Sequence, residues 1–297
     1  MRVFVTGASG WVGSEVVRQL GAAGHQVTGL ARSDKSADAV AVNGATALRG
    51  ELTDLDVLTR GAKEADGVIH CGFIHDFSNF GHSVAVDTQA IDTMGAALAG
   101  SGKPFLVTSG TAGLALGRPS TEEDAPDVSA YGANPRVSEQ TGLALAQQGI
   151  RAGAVRLPPS VHGNGEHGFI PMLIDIARKT GKSGYVETGD NRWPAVHRDD
   201  AARAYVLALE KGEAGMRYHA VGDEGIAFRD IATVIGRKLN LPVVSIPRSA
   251  ATEHFGWMGN FAGMDVPASH KLTSERLGWQ PTGPGLIEDL EQGSYFG

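Results

Sequence analysis

The stretch "TGASGWVGSEVVRQL", Thr6 to Leu20, follows a short apolar run and leads directly into an amphipathic pattern. Its glycines, Gly7, Gly10 and Gly13, stand three residues apart. Glycine permits a tight turn at positive φ and a close approach of the backbone to a ligand. A helix N-terminus offers free N–H groups and partial positive charge to a phosphate. Because the glycines join a strand to a helix, they predict a loop for the pyrophosphate of a dinucleotide, the alternative being a purely structural turn.

Outward from this loop, apolar runs of strand length alternate with amphipathic helical patterns. The runs cover residues 2–7, 25–31, 45–50, 66–72, 103–110 and 151–157. This alternation predicts an α/β protein with a doubly wound parallel sheet, a Rossmann fold. Beyond residue 157 the chain is richer in glycine, proline and short patterns. We therefore predict a dinucleotide-binding domain over residues 1–157 and a smaller mixed C-terminal substrate lobe over 158–297, from which about residues 190–210 return to the first domain.

Composition narrows the classes of partner. The 297 residues are 42% hydrophobic and 20% charged, as in ordinary globular proteins. A net charge of −7, without a run of five like charges, argues against nucleic acid and against a polybasic membrane surface. The single cysteine, Cys71, excludes a disulfide within one chain. With no leader pattern and no apolar stretch of roughly 20 residues, we expect a cytoplasmic protein that acts on a small molecule.

The end of the second predicted strand bears on the choice of cofactor. In "GLARSDK" (29–35), Arg32 stands where a carboxylate would bind the ribose 2′-hydroxyl of NAD, and Ser33 follows it. An arginine presents a planar fork of donors that suits a 2′-phosphate. The sequence therefore predicts NADP (NADPH). In the alternative, Asp34 binds the ribose and Arg32 is solvated.

Seven motifs taken together resemble the extended short-chain dehydrogenase/reductase family, the NAD(P)-dependent epimerase/dehydratase group. The resemblance covers nearly the whole chain and rests on the order and spacing of these motifs rather than on any one of them. They are "TGASGWVG" (6–13), "RGELTD" (49–54), "VIHCGF" (68–73), "VTSGTAG" (107–113), "YGANPRVSE" (131–139), "VRLPPSVHG" (155–163) and "WPAVHRDDAARA" (193–204).

The resemblance implies a set of residues that contact the cofactor. The phosphate loop would be formed by Gly7, Ser9, Gly10, Trp11, Val12 and Gly13. Glu51 and Leu52 would flank the adenine, Cys71, Gly72 and Phe73 would lie beneath the ribose, and Pro158, Ser160 and Val161 would lie near the nicotinamide.

The catalytic set that the resemblance implies is incomplete. The family uses a Ser or Thr after the fifth strand with Tyr-x-x-x-Lys. Tyr131 falls in register, and Ser109 and Thr111 bracket the hydroxyl position, but Pro135 occupies the lysine position. We expect a helix that Asn134 caps and Pro135 enters, with Arg136 pointing about 100° further round it. Tyr131 is then either the proton donor or a neighbour of the cofactor.

Candidate substrate contacts come from the loops. They are His75, Phe77, Tyr131, His162 and Trp193, and for each the alternative is a solvated loop or a core position. His162, Glu166 and His167 have metal-ligand chemistry, but glycine spacing fixes no geometry for them, so we expect no metal. His197 to Asp200 are expected to cap the following helix.

The leading function is an atypical NADP-dependent oxidoreductase that transfers hydride to a small carbonyl or activated double bond. One alternative is a nucleotide-sugar epimerase or dehydratase, and another is a non-catalytic regulator that senses NADP. The predicted helices 87–101 and 134–148 are rich in Ala and Gly and would suit either a homodimer interface or packing on their own sheet.

Overall fold

A computed structural model describes residues 1–76, 79–115, 117–126 and 136–297. Each of the six predicted apolar runs contains one strand. The strands are β1 Arg2–Thr6, β2 Gln26–Ala31, β3 Thr46–Arg49, β4 Gly67–His70, β5 Pro104–Gly110, β6 Arg151–Leu157, β7 Ser160–His162, β8 Ser183–Val186, β9 Arg192–His197, β10 Met216–His219, β11 Asp223–Ala227 and β12 Val243–Ile246.

Helices follow most of these strands. They are α1 Trp11–Ala22, α2 Asp34–Val42, α3 Leu55–Glu64, α4 Phe80–Leu98, α5 Ser138–Ala144, α6 Phe169–Thr180, α7 Arg198–Lys211, α8 Phe228–Leu239, α9 Ala251–Phe255, α10 Gly259–Ala262, α11 Lys271–Leu277 and α12 Leu286–Gln292. Among the described residues, no helix is long and apolar enough to cross a membrane.

The main sheet has seven parallel strands in the order β10-β6-β5-β4-β1-β2-β3. The predicted α/β fold with a parallel sheet is thus confirmed. From β1 the chain builds outward through β2 and β3, and then returns to β4 on the other side of β1. The crevice at the carboxyl ends of β1 and β4 lies where such sheets bind ligands.

Helix α7 packs against the main sheet. Its Tyr205 is fully buried in the same core as Val3 and Val5 of β1, and the Tyr205 hydroxyl lies 2.8 Å from Thr108 Oγ1 on β5. Strand β10 also pairs with β6 at the edge of this sheet. A strand of only four residues carries too little pattern to be recognised.

A smaller lobe has its own sheets and its own core. Strand β9 pairs with β7 in parallel and with β11 in antiparallel orientation, and β12 pairs with β8. Trp193, which we predicted as a substrate contact, is fully buried here, with its ring centroid 4.9 Å from that of Phe228 and 5.0 Å from that of Phe261. The lobe is therefore held together by an aromatic core that includes Trp193.

Candidate active site

The glycine loop closes on backbone contacts that no larger residue would allow. Gly7 has φ +67°, and a Cβ there would lie 2.7 Å from the backbone of Cys71 and Gly72. A Cβ on Gly13 would lie 2.1 Å from Gly7 O, so this glycine lets α1 start directly against the loop. The Gly10 N–H donates to Gly7 O at 2.9 Å. The loop thus joins the ends of β1 and β4, where the predicted cofactor residues meet.

The N-terminus of α1 has the properties of an anion site. Gly10 is the N-cap residue, no side chain caps the helix, and the first turn contains no acidic residue. A Cβ on Gly10 would meet only Gly7 O, at 3.1 Å, so the backbone there is open on its outer side. Free N–H groups together with open backbone fit a pyrophosphate. Ser9 is exposed and Val12 half-buried in this loop.

The Trp11 side chain ties the glycine loop to two distant segments. Its indole Nε1 donates to Val161 O at 2.7 Å, and the guanidinium of Arg198 lies 4.2 Å from its ring centroid. Arg198 Nη2 donates to Ser14 Oγ at 2.7 Å, and burial lowers the pKa of Arg198. Sequence reasoning missed this cation, because we interpreted the segment only as a helix cap. His197 does cap α7, accepting from the Asp199 N–H.

At the end of β2 the charged side chains are engaged in different ways. Arg32 directly follows the strand and is exposed. Ser33 is the N-cap of α2, and its hydroxyl accepts from the Ser36 N–H at 3.2 Å. Asp34 Oδ1 lies 3.1 Å from Arg49 Nη1 at the end of β3. The carboxylate of the NAD alternative is therefore already paired with an arginine.

The predicted adenine and ribose residues lie against the same loop. The Gly72 N–H donates to Thr6 Oγ1 at 3.1 Å, and a Cβ on Gly72 would lie 3.2 Å from Leu52 Cδ2. Glu51 is exposed and accepts from Thr53 Oγ1 at 3.0 Å. Burial raises the pKa of the Cys71 thiol to about 11, so the thiol stays protonated. The structure thus brings Leu52, Cys71 and Gly72 together beside Gly7.

Arg136 lies in the crevice and is not helical, although the sequence predicted that it belongs to a helix. Described α5 begins at Ser138, so Arg136 precedes it, and Asn134 and Pro135 lie outside the described residues. The early helix start is wrong for Arg136 and Val137 because the guanidinium turns back, with Nε donating to Ser138 Oγ at 2.9 Å and Nη2 to Thr108 O at 3.1 Å. The guanidinium carbon lies 4.1 Å from the Phe73 ring centroid.

A buried chain of hydrogen bonds connects Arg136 to the glycine loop. Ser138 Oγ donates to Asp87 Oδ2 at 2.5 Å, and His70 Nε2 lies 3.0 Å from Asp87 Oδ1. His70 Nδ1 lies 2.7 Å from Thr6 Oγ1, which accepts from the Gly72 N–H. Although burial opposes it, hydrogen bonding to His70 and Ser138 holds the pKa of Asp87 low. A histidine inside the apolar "VIHCGF" was the available signal, since buried polar groups need partners.

The predicted hydroxyls lie at the ends of β5 and β6. Thr111 is 1% exposed, its N–H donates to Leu157 O at 3.0 Å, and its Oγ1 has no partner among the described residues. Ser160 Oγ is likewise buried without a described partner, Pro158 is buried, and Ser109 is half-buried on β5. Tyr131 and Phe77 lie outside the described residues. Of the two predicted hydroxyls on this segment, Thr111 is therefore the one that is buried without a hydrogen-bond partner among the described residues.

The remaining candidates separate into different surroundings. His75 follows Phe73, with ring centroids 5.2 Å apart, and so lies near Arg136. Burial and then the Arg136 charge lower the pKa of His75. His162 is buried, with Nδ1 2.8 Å from Asp289 Oδ2, and lies edge-on to His197. Neither His162 nor Trp193 shares a contact with Arg136.

The histidine-rich loop is organised by protein groups. The Tyr295 hydroxyl oxygen lies 3.0 Å from Asp289 Oδ2 and 3.1 Å from Glu166 Oε2, and burial raises the pKa of Glu166 to about 8. His167 packs its ring against Trp11. Within residues 1–76, 79–115, 117–126 and 136–297, no three His, Cys, Asp or Glu side chains are arranged to hold a metal ion.

Comparisons with known proteins agree with this fold. The model of the NAD dependent epimerase/dehydratase family matches residues 3–221, and the chain belongs to that family. The uncharacterized protein C2A9.02 of Schizosaccharomyces pombe is 48% identical over 301 residues, covering 100% of both chains. The 2'-dehydrokanamycin reductase of Streptomyces kanamyceticus is 32% identical over 268 residues, covering 85% of this chain and 71% of the reductase.

A solved structure shares the whole fold. The dTDP-glucose 4,6-dehydratase of Streptomyces venezuelae, determined with NAD bound, superposes with a TM-score of 0.78 at 20% identity, covering 98% of this chain and 95% of that one. By the match to the family model, the protein is a member of an NAD(P)-dependent family of oxidoreductases and epimerases.

Proposed function

We propose that the protein is an NADP-dependent oxidoreductase that reduces a small carbonyl or an activated double bond. The observation that carries the proposal is the Thr111 hydroxyl, which is buried at the carboxyl end of β5 and has no partner among the described residues. A buried hydroxyl without a partner is costly, and a substrate oxygen would supply the missing hydrogen bond. The similarity to a reductase at 32% identity supports the same class of reaction.

The chain's own residues would hold the cofactor in three places. The Gly10 backbone and the start of α1 would bind the pyrophosphate, with the Arg198 charge nearby. Arg32 would bind the 2′-phosphate, while Leu52 and Gly72 would contact the adenosine. When bound, NADPH supplies the hydride.

Hydroxyl groups would bind the substrate oxygen and donate the proton. Thr111 would donate a hydrogen bond to the substrate oxygen, and Tyr131, which lies outside the described residues, would give the proton. A tyrosine of ordinary pKa near 10 donates a proton more readily than it removes one at neutral pH, which favours the direction of reduction. Burial keeps the Cys71 thiol protonated, so a thiolate is not part of the proposed chemistry.

The test is NADPH oxidation with a panel of aldehydes, ketones and enones, run on the wild type and on Thr111→Val and Tyr131→Phe. We expect reduction of some members, and a loss of roughly 10²- to 10⁴-fold in turnover for Tyr131→Phe with cofactor affinity almost unchanged. Thr111→Val keeps the shape of the side chain and removes only its hydrogen bond. Tight NADPH binding with no turnover on any panel member would favour the non-catalytic regulator instead. Conversion of a nucleotide sugar without net NADPH oxidation would favour the epimerase.

A further inference from the structure

We propose that Arg136 binds a carboxylate of the substrate, so that the preferred substrates are small carbonyl compounds that carry a carboxylate group. This inference rests on the proposed function and names the substrate class for the same site. It starts from a guanidinium that the described protein leaves without a counter-ion. Arg136 is half-buried, and no described carboxylate oxygen lies within 4.0 Å of its nitrogens.

Arg156 shows how this chain satisfies a fully buried guanidinium. Arg156 is fully buried, and its Nε and Nη2 donate to the two carboxylate oxygens of Glu139 at 2.7 and 2.6 Å. Burying a cation without such a partner costs free energy. Arg136 therefore bears a cost that a ligand anion would offset.

The guanidinium of Arg136 is held in one orientation. Nε donates to Ser138 Oγ, Nη2 donates to Thr108 O, and the guanidinium carbon lies over the Phe73 ring. Nη1 has no hydrogen-bond partner among the described residues. Two anchored nitrogens and a stacking contact fix the plane, so the remaining donors are pre-organised for a planar anion such as a carboxylate.

The buried acidic side chain that acts electrostatically on Arg136 does not neutralise this cation by contact. Asp87 is buried, and its oxygens are already engaged by His70 and Ser138. Asp87 acts on Arg136 only through space, and it holds Ser138 in place as an anchor for the guanidinium. The hydrogen-bond chain from Gly72 to Ser138 thus positions Arg136 and leaves its outer donors free.

The backbone between the two groups limits how far apart Arg136 and Thr111 lie. Thr108, whose carbonyl anchors the guanidinium, and Thr111, whose hydroxyl lacks a partner, are three residues apart along the end of β5. Three residues of extended chain span about 10 Å. A carbonyl at Thr111 and a carboxylate at Arg136 would then belong to one small molecule, such as a short oxo acid.

The experiment compares acids with their neutral esters. Glyoxylate, pyruvate and phenylglyoxylate are each paired with the methyl ester, and kcat/KM for NADPH-dependent reduction is measured on the wild type, Arg136→Gln, Arg136→Lys and the control Arg60→Gln, whose side chain is exposed on α3. We expect the wild type to prefer at least one acid over its ester. Arg136→Gln should lose about 10- to 100-fold in kcat/KM for that acid, mainly through KM, and should leave the ester almost unchanged. Arg136→Lys should restore part of the loss.

A binding measurement separates this inference from the proposed function. Calorimetry with the acid and the protein saturated with NADP⁺ should show binding to the wild type and to Arg60→Gln, and a weakening of at least 10-fold in Arg136→Gln. Arg136-dependent binding without any reduction would refute the proposed function and keep the anion site. Equal affinity for acid and ester, no binding of any acid, or an equal loss of both substrates in Arg136→Gln would overturn the anion site. Denaturant unfolding of each variant checks that the fold is intact.

Discussion

Single charges at the end of β2 decide which dinucleotide the crevice would favour. Asp34 is paired with Arg49, whereas Arg32 is exposed directly after the strand. Because the Asp34 carboxylate is paired with Arg49, it is less available to accept hydrogen bonds from ribose hydroxyls. Arg32 is a cation, so it would attract a phosphate. These charges lead us to predict that this end of the crevice prefers a 2′-phosphate over a free 2′-hydroxyl.

We expect NADPH to bind more tightly than NADH by about 1.5–3 kcal/mol, the contribution of a charge-assisted hydrogen bond. Arg32→Asp should reverse the order, because a carboxylate repels the 2′-phosphate and accepts from ribose hydroxyls. Calorimetric Kd values for both cofactors provide the measurement, with Lys35→Asp as a control of equal charge change nearby on α2. Equal Kd values for the two cofactors in the wild type would refute the assignment.

Local sequence patterns are enough to predict the location of residues whose surroundings are formed by adjacent segments of the chain. Gly7 and Arg32 directly follow recognisable strands, and Gly13 lies in the first turn of the helix after β1, so their positions follow from the order of the elements. Arg198 and Asp87 act through contacts with Trp11 and His70 that are distant in sequence, and no spacing rule connects them. Long-range polar pairing is decided by the packed fold.

Helix α1 contains two glycines with opposite surroundings, one tightly packed and one open. A Cβ on Gly13 would lie 2.1 Å from Gly7 O, whereas a Cβ on Gly21 would meet nothing within 4 Å. Both positions belong to Trp11–Ala22, so helix propensity acts on them alike. A difference in stability between the alanine variants at these two positions therefore measures the effect of the close approach of α1 to the glycine loop.

Gly13→Ala should destabilise the protein and weaken cofactor binding, because α1 must move away from the loop. A steric clash of this kind typically costs about 1–3 kcal/mol. Gly21→Ala should stabilise the protein by up to about 1 kcal/mol, since alanine loses less backbone entropy in a helix. Urea unfolding of the two variants and the wild type gives both values. If Gly13→Ala unfolded at the same urea concentration as the wild type, the close contact would be unimportant.

Among the strands and helices, the length of each element determined whether it could be predicted from the sequence. The first six strands of the sheet have apolar runs long enough to recognise, and the structure confirms them. The exceptions are β10, which is four residues long, and the start of α5, where side-chain hydrogen bonds of Arg136 replace the first helical turn. The predicted homodimer remains a prediction. The buried face of α4, which includes Ala90 and Met94, packs within its own chain.

Across the whole molecule, one buried polar network joins segments from distant parts of the sequence. Arg156 on β6 is paired with Glu139 on α5, and its Nη1 lies 3.1 Å from His219 Nε2 on β10. His219 Nδ1 lies 2.7 Å from Ser269 O. Since the carbonyl can only accept and the guanidinium can only donate, His219 carries its proton on Nδ1 and is neutral. Burial, reinforced by Arg156, lowers the pKa of His219.

This arrangement predicts a loss of stability in acid. With the pKa of His219 lowered in the folded state, the unfolded state binds more protons below the ordinary value of 6.5, so the free energy of unfolding decreases as pH falls through that range. In His219→Gln, the contribution of His219 protonation to the pH dependence of the unfolding free energy is absent. The difference in unfolding free energy between wild type and variant should therefore narrow by at most about 1.4 kcal/mol per pH unit below 6.5. Urea unfolding between pH 7.5 and 5 tests this. Parallel pH profiles for the two proteins would contradict it.

The core that supports the glycine loop is completed by residues far along the chain. Val16 and Leu20 of α1 share a buried cluster with Ala201, Leu209 and Trp279, and Trp279 Nε1 donates to Asp200 O at 3.0 Å. On the ribosome, residue 157 precedes Trp279 by 122 residues, or roughly 6 to 24 s at about 5–20 residues per second. During that interval the nascent first half has an uncovered apolar face, which is the kind of surface that chaperones bind. Dinucleotide capture would then follow the synthesis of Trp279 rather than precede it.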